Sequence, residues 1–221
     1  MRPKTLDHVA FWVTDREPVA GFLERYLGMH TIDRQEGFTL LGADARRGKL
    51  TLFDAEGPRE RGAFLHVGLR VSDLERARAV LPPGTPETFD AGEGIHVRLV
   101  EGGDGAADYD LDHVALAVHE PEAAAGDLER YGFRRVGPAR VEVGGAFVEL
   151  HPGGGPAPDR PLLNHLAVLV DSAEEHAEEA RELGIEVESI VDAPNTLAAF
   201  LRGPEGVRIE YVEHKPTFRL E

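Results

Sequence analysis

The chain has 221 residues, 42% of them apolar, enough for one respectable core or two small ones, which excludes disorder and a mini-protein scaffold. Forty Asp and Glu against 24 Lys and Arg leave a formal charge of −16, which repels phosphate backbones and anionic lipid, so no nucleic acid and no membrane is expected as a partner. With no Cys there are no disulfides, thiolate sites or Cys nucleophiles, and His, Asp and Glu remain as the strong metal ligands. Taken in chain order, the first strand is Leu6-Asp7-His8-Val9-Ala10-Phe11-Trp12-Val13, followed by a helix over Glu17 to Met29 and a closing strand Leu50-Thr51-Leu52-Phe53. A second unit repeats the plan with Phe64-Leu65-His66-Val67-Gly68-Leu69-Arg70-Val71, a helix over Ser72 to Leu81, and His96-Val97-Arg98-Leu99. The third has Leu111-Asp112-His113-Val114-Ala115-Leu116-Ala117-Val118, a helix over Glu120 to Tyr131, and Phe147-Val148-Glu149-Leu150. The fourth has Leu163-Asn164-His165-Leu166-Ala167-Val168-Leu169-Val170, a helix over Ser172 to Leu183, and Val207-Arg208-Ile209-Glu210-Tyr211. Gly28, Gly132 and Gly184 follow three of these helices, as expected of left-handed caps.

Each opening strand carries His, an apolar residue, a small residue and more apolar residues. With a side-chain period of two, each His shares a face with the Ala or Gly two positions on, while Asp7, Asp112 and Asn164 alternate away from it. Each unit therefore reads β, α, then two or three β, and at about 50 residues none can bury its sheet face alone. The fold class is α+β, four tandem modules paired into two domains of two units each. The glycine-rich stretch Glu101-Gly102-Gly103-Asp104-Gly105-Ala106-Ala107 marks the expected boundary, giving an N-terminal domain 1–104 and a C-terminal domain 105–221. Gly153 to Pro158 would let modules three and four fold back on each other. The N-terminus lacks the apolar region of a leader, and no stretch approaches the ~20 apolar residues of a span, so a cytoplasmic location is expected.

On this pairing His113, His165, Glu149 and Glu210 converge on one point in the second domain. Imidazole and carboxylate suit Fe, Ni, Mn, Zn or Co, and two His with one carboxylate leave open positions on iron. The first domain has His8 and His66 at the opening positions but Leu52 and Arg98 in the closing strands, and it is expected to be metal-free. His8 and His66 are then structural, and His30, His119, His176 and His214 have no assigned role. Trp12, Phe11 and Phe22 read as core.

Paired βαβββ modules with His on the first strand and Glu on the last resemble the vicinal oxygen chelate superfamily, which includes glyoxalase I, extradiol dioxygenases, and the fosfomycin and bleomycin resistance proteins. The resemblance covers nearly the whole chain, with module two shortest. Gly203-Pro204-Glu205-Gly206, four residues before Glu210, is similar to the family's Asp-Pro-x-Gly turn, departing at Gly203. It implies glyoxalase/dioxygenase-like half-barrel domains and a metal-dependent enzyme that chelates vicinal oxygens of a small-molecule substrate. Four tandem modules with ligands in the second half resemble the two-domain extradiol dioxygenases, whose ligands would map onto His113, His165 and Glu210. Phe200 stands where those enzymes usually carry Tyr. Glu149 instead resembles the extra carboxylate of bacterial glyoxalase I, which implies an isomerase or lyase with two His and two Glu, Glu149 or Glu210 moving a proton and His151 a further acid-base candidate. The implied cofactor is a divalent metal ion, Fe2+ for a dioxygenase and Ni2+, Zn2+, Mn2+ or Co2+ for an isomerase. A metal-free binding protein of the bleomycin-resistance type is the third reading, and a monomer or homodimer is compatible with all three.

Overall fold

The computed structural model describes residues 1–44, 48–102 and 109–218. Module one comprises β1 Thr5–Val13, α1 Arg16–Leu27, β2 His30–Arg34, β3 Phe38–Gly42 and β4 Lys49–Asp54. Module two comprises β5 Phe64–Val71, α2 Leu74–Ala79, β6 Thr88–Asp90 and β7 His96–Glu101. Module three runs through β8 Tyr109–Val118, α3 Pro121–Arg130, β9 Arg134–Gly137, β10 Arg140–Val143 and β11 Ala146–Pro152. Module four runs through β12 Leu163–Leu169, α4 Ala173–Glu182, β13 Val187–Asp192, β14 Thr196–Arg202 and β15 Arg208–His214. The fold is α+β.

The helices form where the periodicity changes from two to 3.6, and the starts of α1, α2 and α4 are fixed by side chains that accept from otherwise unpaired backbone N–H groups. Asp15 accepts from Glu17 N, Asp73 from Arg76 N and Ser172 from Glu175 N. α1 ends at Gly28, whose φ of 64° is the left-handed conformation.

Two mixed sheets result, ordered β13-β14-β15-β12-β1-β4-β3-β2 and β6-β7-β5-β8-β11-β10-β9. The first joins modules one and four through antiparallel β1 and β12; the second joins modules two and three through antiparallel β5 and β8. The pairing expected, one with two and three with four, is therefore not the one formed. Each sheet draws on residues from both sides of the 104/105 boundary. That boundary itself falls within 103–108, outside the described residues, but its flanks β7 and β8 belong to one sheet, so the stretch joins two modules of that sheet. Modules two and three, adjacent in sequence, pair inside a larger loop closed by one and four.

On both sheets one face is core. Val9, Phe11, Val13, Leu50 and Leu52 are fully buried in the first, and Val67, Leu69, Val97 and Val114 in the second. The His-bearing strand positions lie on the opposite faces.

Candidate metal centre

Strict alternation fails at one position in every opening strand. In the β1–β12 pair Leu6 lies opposite Val168 and His8 opposite Ala167, so Asp7 is an extra residue; Ala10 lies opposite His165 and Phe11 opposite Leu163, so Asn164 is extra. The β5–β8 pair treats Leu65 and Asp112 in the same way. These are β-bulges, which re-aim side chains next to functional positions. Asp7, Asn164 and Asp112 thus come beside the imidazole that follows them. The expectation that they point away from the His face is corrected.

In the first sheet His8 Nδ1 donates to Asp7 Oδ2 at 2.9 Å and His165 Nδ1 to Asn164 Oδ1 at 3.1 Å. Both rings then present Nε2 inward, and the two Nε2 atoms are 3.0 Å apart. Glu210 Oε2 lies 2.8 Å from His165 Nε2 and 3.2 Å from His8 Nε2. It is nevertheless buried without a hydrogen bond. A buried carboxylate oxygen left so costs free energy that a cation at the same point would recover. Together His8, His165 and Glu210 can reach one metal ion from a single point, the one such group among the described residues. Held from behind by its partner, each imidazole has its tautomer and direction set as metal-ligating histidines require.

The outer partners are themselves anchored. Lys49 Nζ lies 2.8 Å from each oxygen of Asp7, and His214 Nε2 is 3.3 Å from Asp7 Oδ1. Arg208 Nη1 donates to Asn164 Oδ1 at 3.1 Å, while its Nε bonds Glu188. Burial works against charge on His8, but the Asp7 and Glu210 carboxylates outweigh it and raise its pKa to about 9. Burial lowers that of His165, with Glu210 only partly offsetting it. Burial would raise Glu210, yet the two imidazoles hold it well below the usual carboxylate range. A metal ligated by His8 Nε2 would therefore have to displace the proton that its raised pKa favours.

The register identifies the fourth corner. Glu210 lies beside Ala167, two residues after His165, and the matching neighbour of Ala10 is Thr51. Thr51 is buried on the site side, while Leu52, expected at this corner, is core. Asp54, at the end of β4, pairs with Arg16 at 2.6 Å. Aromatic rings surround His165: Phe200 at 5.2 Å and Phe53 at 6.0 Å between centroids, with Trp12 beside Phe53 at 5.5 Å. Trp12 thus belongs to the site face, whereas Phe11 is core and Phe22 packs against it as expected.

In the second sheet His66 Nε2 and His113 Nε2 are 2.9 Å apart, and His113 Nδ1 donates to Asp112 Oδ2 at 2.7 Å. Glu149 Oε2 is 4.0 Å from His113 Nε2 and 3.9 Å from His151 Nε2. The four expected ligands are therefore divided: His165 and Glu210 meet His8 in one sheet, and His113 and Glu149 meet His66 in the other. Sequence reasoning passed over His8, Thr51, Lys49 and His214; the signal for His8 was there, since it occupies the same place in the repeat as His165. His176 is also buried, its Nδ1 donating to Ser172 O and its Nε2 accepting from Arg2 N, a structural role on α4 rather than an exposed one.

The fold is shared by several solved structures. A Bacillus subtilis protein described as a "putative dioxygenase" superposes with a TM-score of 0.78 at 17% identity, covering 97% of this chain and 86% of its own. Glyoxalase I from Zea mays does so with a TM-score of 0.74 at 17% identity, covering 95% and 92%. The cppA protein of Streptococcus pneumoniae gives 0.65 at 13% identity, covering 96% and 98%. At these identities the likeness is one of fold. No curated protein gives a significant match. Residues 5–211 match the family described as the Glyoxalase/Bleomycin resistance protein/Dioxygenase superfamily, and with nearly the whole chain matched and the paired modules of that fold observed, the chain belongs to that family.

Proposed function

We propose that the chain is a metal-dependent enzyme acting on a small substrate with neighbouring oxygens, with His8, His165 and Glu210 as its protein ligands and extradiol-type ring-opening dioxygenation as its reaction. The observation that carries this reading is Glu210 Oε2, buried without a hydrogen bond between two imidazole nitrogens. Two His and one carboxylate, with only the weak hydroxyl of Thr51 at the fourth corner, leave positions free for substrate and dioxygen. An isomerase centre with two His and two Glu is less favoured, because Glu149 stands in the other sheet. A divalent ion, Fe2+ for this reaction, would supply Lewis-acid polarisation of the adjacent oxygens.

The chain's own residues do the remaining work. Asp7 and Asn164 hold the imidazoles in place. Phe200, Phe53 and Trp12 offer half-buried ring surface to a flat apolar substrate body and keep water from it. His214 on β15, 3.3 Å from Asp7 and stacked on Phe218 at 3.9 Å, steadies the carboxylate that orients His8. The test is oxygen uptake over a panel of catechols after anaerobic loading with ferrous iron. Uptake that disappears in Glu210→Gln supports the proposal; no uptake from any catechol by protein shown to hold iron overturns the dioxygenase reading.

A further inference from the structure

The His-bearing face of the second sheet gathers cations in a chain whose net charge is −16. Arg98 on β7 is the strand neighbour of Gly68, and so takes the corner that Glu210 takes in the first sheet. Its Nε is buried without a hydrogen bond, while its Nη2 reaches Glu87 on the rim. Arg140 on β10 stacks on Phe147 at 3.7 Å, and its Nε is also buried and unbonded, 3.4 Å from Glu149 Oε1 but badly directed towards it. Arg61 spends its donors on the peptide oxygens of Phe64 and Leu65, beside His66, and adds a third cation. Arg70 and Asp112 cancel at 2.9 Å. Against three guanidinium groups stand Glu87 and Glu149, a local excess of one positive charge before any imidazole is counted.

This face does not suit a metal as the first one does. The bulge residue before His66 is Leu65, which has no acceptor to orient the ring, and the corner that should bring a carboxylate brings Arg98. Glu149 is 4.0 Å from His113, against 2.8 Å for Glu210 and His165. Two guanidinium Nε–H groups without acceptors instead ask for an anion, and one excess charge asks for a single one. Between β7 and β10 lie four strand spacings, about 19 Å before the sheet curls. Arg98 and Arg140 stand at the two margins of that span. Gly68 completes the seat: a Cβ there would lie 2.3 Å from the His113 ring, so the imidazole lies flat over bare backbone.

We propose that this second face binds a small organic carboxylate without metal, its anionic end held by Arg98 and His66 and its body lying over His113 towards Arg140 and Phe147. The probe is 4-fluorobenzoate, followed by 19F NMR titration of the metal-loaded full chain, with 4-fluorobenzamide as the uncharged counterpart. The acid should bind and the amide should not; Arg98→Gln should weaken binding about ten-fold or more and Arg140→Gln several-fold, the loss expected for charge-assisted hydrogen bonds. Glu210→Gln and chelator-stripped protein should bind the acid as the wild type does, which separates this site from the first sheet and from the function proposed for it. Affinity that is equal in Arg98→Gln and wild type, or lost with Glu210→Gln in a chain whose circular dichroism is unchanged, overturns the proposal. So does a second metal ion per chain that vanishes in His113→Ala.

Discussion

Lys49 is 1% exposed and lies against both oxygens of Asp7, so removing that carboxylate strands a buried ammonium. Asp7→Ala should destabilise the protein by about 3–5 kcal/mol, the usual effect of breaking a buried pair from one side. Asp7→Ala combined with Lys49→Met should regain most of that loss in denaturant titrations; no regain would mean that Lys49 is not what Asp7 stabilises. His8 gives a pH dependence. Its folded value, raised to about 9 from 6.5, means the stabilisation is complete below 6.5 and is lost as pH rises through 9. The midpoint of thermal unfolding of metal-free protein should therefore fall between those limits, and fall less in His8→Gln; parallel curves would contradict the assignment.

At the scale of elements, hydrophobic period made the four opening strands, the four helices and the glycine caps legible before any coordinates. It also set the His residues and Glu210 correctly on their strands. It could not show the bulges, because an inserted residue leaves no mark on a pattern of apolar and polar letters. Asp7, Asp112 and Asn164 were misplaced for that reason, and with them the support that tells a ligating imidazole from a structural one. Leu52 was named for Thr51 because a strand buried throughout, as Lys49 to Leu52 is, has no alternation to fix its faces. The close seat of His113 on Gly68 belongs to this scale too. Gly68→Ala should cost about 1–3 kcal/mol by overpacking and displace His113, while metal bound by the first sheet stays the same. Loss of that metal in Gly68→Ala would show that the two sheets do not act separately.

For the whole molecule the decisive matter is which modules meet. Four similar modules can pair in more than one way, and the hydrophobic pattern of each carries no record of the choice, which depends on contacts between strands far apart in the chain. A hint lay in the closing strands: pairing one with four and two with three allots one Glu to each sheet instead of two to one and none to the other. It follows that residues 1–104 and 105–221, produced separately, should each fail to bind metal, and that mixing or co-expressing them should restore one ion per complex; metal held by 105–221 alone would revive the four-ligand centre. Anomalous diffraction from crystals of the full chain grown with Mn2+ would locate the ion. A peak is expected about 2.0–2.3 Å from His8 Nε2, His165 Nε2 and a Glu210 oxygen. A peak between His66 and His113, with none beside Glu210, would contradict that placement.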